Sequence, residues 1–164
     1  MVIYVIRHGE TDWNTKHWLQ GTTDIPLNQN GIEVAEITAE ALKEVPFDVI
    51  FSSPLQRAHQ TAEILRRDRQ IPLIVHERLR EVSFGSFEGL CCMGDGYNIP
   101  DPDFRNFFED PAHYTPPEDG ESIAELCVRG TDFLTWLIDQ PEYQDKTVLI
   151  SGHGALVKAL LSSL

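Results

Sequence analysis

Four short runs of β-branched and aromatic residues limit what this chain can fold into. They are Val2-Ile3-Tyr4-Val5-Ile6, Asp48-Val49-Ile50-Phe51-Ser52, Ile71-Pro72-Leu73-Ile74-Val75 and Thr147-Val148-Leu149-Ile150-Ser151. None alternates apolar with polar residues, so each is expected to be a strand buried on both faces, as in a parallel sheet covered by helices. Helical patterns lie between them. Val34, Ile37, Ala41, Leu42 and Val45 recur at helical spacing and are expected to bury one stripe. Ser53-Pro54 reads as an N-cap with proline at the first helical position, and Ala58, Thr61, Ala62 and Leu65 continue that helix. A third helix, from about Ser122, carries Ile123, Leu126, Cys127, Phe133, Leu134 and Leu137 on one face, and a fourth begins at Ala155. The alternation predicts an α/β three-layer sandwich: a mostly parallel central sheet flanked by helices.

The length of 164 residues fits a single domain spanning 1–164, large enough to hold a core without metal or disulfide staples. Two stretches break the rhythm. Residues 9–30 form a long polar connection with no helical period. Residues 85–121 are rich in Gly, Pro, Asp and aromatics, with one short helix expected near Pro102–Glu109. Connections longer than about 12–15 residues inside a compact domain are usually functional, so the second is expected to be a loop-rich cap. The last helix stops at Leu164 with no following cap or strand, and a truncated C-terminus is expected.

Charge narrows the partners. A net charge of −13 argues against nucleic acid and anionic membrane, both of which need a basic face. No apolar run approaches the roughly 20 residues needed to cross a bilayer, and the N-terminus lacks a signal-peptide pattern. Cys91, Cys92 and Cys127 make neither a disulfide framework nor a zinc pattern, so a reduced, cytoplasmic location without a metal is expected.

Arg7-His8-Gly9-Glu10-Thr11 stands where the first strand runs out, Arg57 lies one turn into the helix after the second, and His153 follows the last. Ligands bind beyond the carboxyl ends of strands in open α/β sheets. Were these strands parallel, two arginines and two histidines would share one rim. Such a cluster repels itself unless it holds an anion, and arginine forks match phosphate oxygens in bidentate geometry.

With these residues in view, the sequence resembles the histidine phosphatase superfamily, the phosphoglycerate-mutase-like proteins. The matching segments are Arg7-His8-Gly9-Glu10-Thr11 with Asn14, Gln20-Gly21, and Ser52-Ser53-Pro54-Leu55-Gln56-Arg57-Ala58. Leu79-Arg80-Glu81, Phe84-Gly85-Ser86-Phe87-Glu88-Gly89, Gly120-Glu121-Ser122 and Ser151-Gly152-His153-Gly154 follow in the family's order. The resemblance implies a phosphoglycerate-mutase-like fold, whose sheet normally continues past the last helix, so a C-terminal strand is expected to be missing. It implies that His8 is a nucleophile forming phosphohistidine, that Arg7, Arg57 and His153 bind the phosphoryl group, and that Glu81 donates the proton to the leaving oxygen. Asn14, Gln20, Gly21 and Gly154 would complete the substrate pocket. The residues alone leave Glu77, Glu81 and Glu88 open as the acid, and only the resemblance selects Glu81. No cofactor and no metal are implied, because arginines take over the charge-clamping role of Mg²⁺.

Phosphatase and mutase are the two active forms of such a site. A mutase needs a tight basic lid to hold a second anionic group. The cap here has Arg105 as its sole Lys or Arg, against Phe84, Phe87, Tyr97, Phe104, Phe107, Phe108 and Tyr114 at or within it. That composition fits a small mono-phosphorylated metabolite with an apolar or neutral body, hence a phosphoric monoester hydrolase. The alternatives are a cofactor-dependent mutase or an inactive binding relative, and the sequence leaves oligomeric state open. Trp13 and Trp18 read equally as core or as a substrate wall. Cys91-Cys92 reads as small apolar packing.

Overall fold

The computed structural model describes residues 1–162. Four strands, β1 (Val2–Arg7), β2 (Val49–Ser52), β3 (Leu73–Val75) and β4 (Thr147–Gly152), form a sheet in the order β1-β4-β2-β3. Every pairing is parallel, with Arg7 opposite Gly152 and Ser52 opposite Ser151. The register brings the carboxyl ends of β1, β4 and β2 to one level, which decides where the site lies. The expectation of a strand missing after the last helix concerns chain beyond the described residues.

Side chains of the two central strands alternate between layers, as the two-residue period of a strand requires. Val49, Phe51, Val148 and Ile150 face one core, with helices α5 (Ile123–Asp139) and α6 (Gly154–Ser162) and the cap. Ile50 and Leu149 face a second core against α2 (Gln29–Ala41) and α3 (Gln56–Arg66). Two short helices, α1 (Asp12–Thr15) and α4 (Asn106–Glu109), lie in the two long connections. The second, preceded by a 3₁₀ turn over Pro102–Arg105, is the short cap helix expected from sequence. No helix of the described residues is long and apolar enough to cross a membrane.

Two expectations need correction. The stripe on α2 is not the one anticipated: Val34 is 47% and Ile37 69% exposed, while Gly31, Ala35 and Ala39 are buried. Small residues win this face because α2 packs close to α3 and to the loop after β1. A Cβ on Gly31 would lie 2.1 Å from the carbonyl oxygen of Glu10. The helix after β2 also begins later than Ser53-Pro54, at Gln56, with Leu55 as an N-cap lacking a side-chain bond. Ser53 Oγ does accept from the Leu55 amide (3.2 Å), but its other contact is the ring of His153 at 2.8 Å. The serine serves the site in addition to the turn.

Candidate active site

His8 sits at the end of β1, nearly buried, with Nδ1 2.6 Å from the carbonyl oxygen of Gly9. A carbonyl can only accept, so Nδ1 carries the proton and the Nε2 lone pair is free. Burial pushes the imidazole from its ordinary 6.5 down to about 3. The Arg57 and Arg7 cations add to the fall, and the Gly9 carbonyl opposes it. His8 is therefore neutral at physiological pH.

Arg57 is wholly buried in the first turn of α3. Its guanidinium donates to the carbonyls of Thr23 (2.8 Å) and Gly21 (2.6 Å), which fold the first long loop over it. Desolvation lowers it to about 10, countered by the charges of Glu81, Asp24 and Glu88, so it stays cationic. Glu88 gathers the same loop from the other side. Its carboxylate accepts from the amides of Thr22 and Thr23 at 2.8 Å each and from both hydroxyls. At Gly21, where φ is +50°, a Cβ would collide with Glu88.

His153 follows β4 and is wholly buried, its ring 5.2 Å from that of His8. Burial, then the Arg57 cation, hold it well below the usual histidine range. The Ser53 hydroxyl, already accepting from Leu55, can donate to Nε2, which places the ring proton on Nδ1. His153 Nδ1 and Arg57 Nε are both buried with no hydrogen-bond partner among the described residues. Such groups are rare because each forfeits its solvation.

Glu81 lies between β3 and the cap, half-buried. Oε1 accepts from Leu156 N and its own Val82 N, both at 3.0 Å, and Oε2 from Ala155 N at 3.1 Å. The carboxylate thus caps the N-terminus of α6, where the helix dipole favours an anion.

A cavity of about 580 Å³ opens over this cluster. Arg7, His8, Gln20, Gly21, Arg57, Glu81 and Gly154 all line it, so seven of the nine residues singled out from sequence share its wall. His153, wholly buried beside His8, is not among the wall residues. Asn14 is not a wall residue: its Oδ1 accepts from the Thr11 amide at 3.1 Å, and the single proton of the Thr11 hydroxyl is within reach of Gln20 Oε1 at 2.9 Å and of Asn14 Oδ1 at 3.1 Å. Asn14 and Thr11 form a capping box for α1 that orients Gln20. Among the cap aromatics, Phe84, Phe107 and Phe108 reach the cavity, whereas Phe104 is core. Trp18 and Cys92 also line it, so the first tryptophan loop supplies a wall and Cys92 is more than packing. Lys158, Ile123 and Cys127 were not anticipated there. Helical spacing could have found Lys158, one turn beyond Gly154 on α6. No group of three or more His, Cys, Asp or Glu among the described residues could hold a metal ion.

Residues 3–164 match the family model of the histidine phosphatase superfamily (branch 1). The chain belongs to that superfamily. As a histidine phosphatase superfamily member it is 35% identical to a protein of Bacillus subtilis named "Uncharacterized phosphatase PhoE", over 99% of this chain and 76% of that one. It is 31% identical to a 2,3-bisphosphoglycerate-dependent phosphoglycerate mutase of Cytophaga hutchinsonii, over 99% and 76%. Among solved structures, Bacillus stearothermophilus YhfR superposes with a TM-score of 0.90 at 35% identity, covering 98% of this chain and 78% of that one. Phosphatases and mutases thus both stand among the relatives, and the parallel sheet flanked by helices is theirs as well.

Proposed function

We propose that this protein is a phosphoric monoester hydrolase working through a phosphohistidine on His8, without a metal. The observation that carries the reading is the pair of buried nitrogens without partners among the described residues, Arg57 Nε and His153 Nδ1, beside a neutral His8 that lines the cavity with its Nε2 lone pair free. A tetrahedral oxyanion against His8 would satisfy both donors and balance Arg7 and Arg57. Phosphoryl transfer asks mainly for in-line positioning and for stabilisation of charge on three oxygens. Two arginines and a histidine supply that.

In the first half-reaction His8 Nε2 attacks phosphorus, the ester P–O bond breaks, and Glu81, carrying a proton, gives it to the leaving oxygen. The phosphoimidazole keeps its Nδ1–H on the Gly9 carbonyl, which offsets the positive charge formed on the ring. In the second, the Glu81 carboxylate takes a proton from water, the oxygen attacks phosphorus, and the P–N bond breaks to release inorganic phosphate. In the structure, amides of α6 hold this carboxylate.

The cap favours hydrolysis over mutase transfer. Arg105, its one Lys or Arg, stacks over Tyr97 and does not line the cavity. Phe84, Phe107, Phe108 and Trp18 offer an apolar wall to a small phosphorylated metabolite. The test is turnover of p-nitrophenyl phosphate in EDTA by the wild type and His8→Ala. The expected result is turnover in the first and none in the second. Equal background rates in both would refute the reading, and a requirement for a bisphosphate primer would restore the mutase.

A further inference from the structure

We infer that Arg129, together with Glu121, is a positioning residue for the acid–base carboxylate of Glu81, an inference that rests on the hydrolase reading above. Arg129 lies on α5, three residues after Leu126 of the cavity wall. All five of its N–H donors find acceptors. Nε donates to Glu121 Oε1 (2.9 Å), Nη1 to the carbonyls of Arg78 and Arg80 (2.8 Å each), and Nη2 to Glu121 Oε2 (2.7 Å) and the carbonyl of Glu81 (3.4 Å). The ion pair is largely shielded, with 22% and 18% of the two side chains exposed. Glu121 closes the knot by donating its amide to the carbonyl of Ser83 at 2.8 Å.

The knot encloses Glu81 from both sides in sequence: carbonyls of 78, 80 and 81 on one strand of contacts, 83 on the other. The segment needs such a hold, because Glu81 belongs to no helix or strand. Among the described residues, its carboxylate is held by the amides of Val82, Ala155 and Leu156. Once Glu81 carries a proton and turns to a leaving oxygen, amide contacts to the carboxylate no longer fix it. The backbone from which it swings must then be held by something else. Leu79 and Val82 anchor their own side chains in the core, but they do not set the direction of the 80–81 peptide. The guanidinium does, since its planar fork meets three carbonyls and a carboxylate in one rigid geometry. Shielding an ion pair is a poor way to gain stability and a better-attested way to fix a register.

The position of an acid matters only when the leaving group needs a proton. p-Nitrophenolate departs without one, whereas a primary alkoxide does not. Arg129→Lys keeps the charge but has three donors for five acceptors. It is expected to lower kcat/KM for n-butyl phosphate about 10- to 100-fold, the scale of a small misplacement of a catalytic group. For p-nitrophenyl phosphate the loss should stay within about threefold, because proton donation contributes little there. In a Glu81→Gln background, Arg129→Lys should change kcat/KM for n-butyl phosphate by less than about twofold, since two residues acting through one function are not additive. Glu121→Gln carries the same expectation and decides the matter should the arginine variant not fold. Equal losses on both substrates, no loss on either, or a full further loss in the Glu81→Gln background would each overturn the inference. Wild-type turnover that does not depend on His8 would instead show the hydrolase reading itself to be at fault.

Discussion

His8 Nδ1 lies 2.6 Å from the carbonyl oxygen of Gly9, the residue next to it in the chain. That one contact fixes the tautomer and leaves the lone pair of the opposite nitrogen free for the proposed attack on phosphorus. Burial does the rest, holding the ring neutral down to about pH 3.

The depressed basicity has a measurable sign. Between about 3 and 6.5 the unfolded chain binds a proton at His8 that the folded protein does not, so stability rises with pH across that window. It is fully present above 6.5 and is lost as pH falls towards 3. Urea denaturation of the wild type should therefore weaken more steeply from pH 6.5 to 4 than that of His8→Gln, which cannot titrate. Nitrogen NMR of the imidazole should show the neutral Nδ1–H form throughout that range.

Removing the acid should expose the leaving group. Glu81→Gln is expected to reduce kcat/KM for alkyl phosphates about 10²- to 10⁴-fold, the usual contribution of a positioned general acid. p-Nitrophenyl phosphate should be hit far less in the same step. Initial rates on the two substrates check this.

Much of this was legible from residue order alone. Four β-branched runs gave the sheet, and Arg7-His8, Arg57 and His153 at the ends of three of them converge because those strands are parallel and in register. Other features depend on contacts between segments distant in sequence. Nothing local to Asn14 says that it faces Thr11 rather than substrate, nor that Ser53 turns from its helix to His153. The buried face of α2 differs from the expected one because the valine and isoleucine of the pattern outweigh its alanines in hydrophobicity. Proximity to the loop after β1 instead selects the smallest residues.

Gly31 tests that point. Gly31→Ala puts a methyl 2.1 Å from the Glu10 carbonyl oxygen, a backbone atom that cannot step aside cheaply. A loss of about 1–3 kcal/mol is expected, as for overpacking elsewhere, although alanine is the better helix former. Thermal or urea unfolding measures it.

Arg57 should report on oxyanion binding. Orthovanadate at about 100 times its dissociation constant should stabilise the wild type by about 2.7 kcal/mol, visible as a rise in Tm. Arg57→Met should lose that rise. It should also melt lower without ligand, because the carbonyls of Gly21 and Thr23 lose their donor.

The most direct measurement is a rapid acid-free quench during turnover of p-nitrophenyl phosphate, followed by mass spectrometry of the peptides. The phosphoryl group should appear on the peptide containing His8, be labile to acid, and be absent from His8→Ala. A phosphoryl group on any other residue, or turnover of His8→Ala at the wild-type rate, would contradict a covalent intermediate at this histidine.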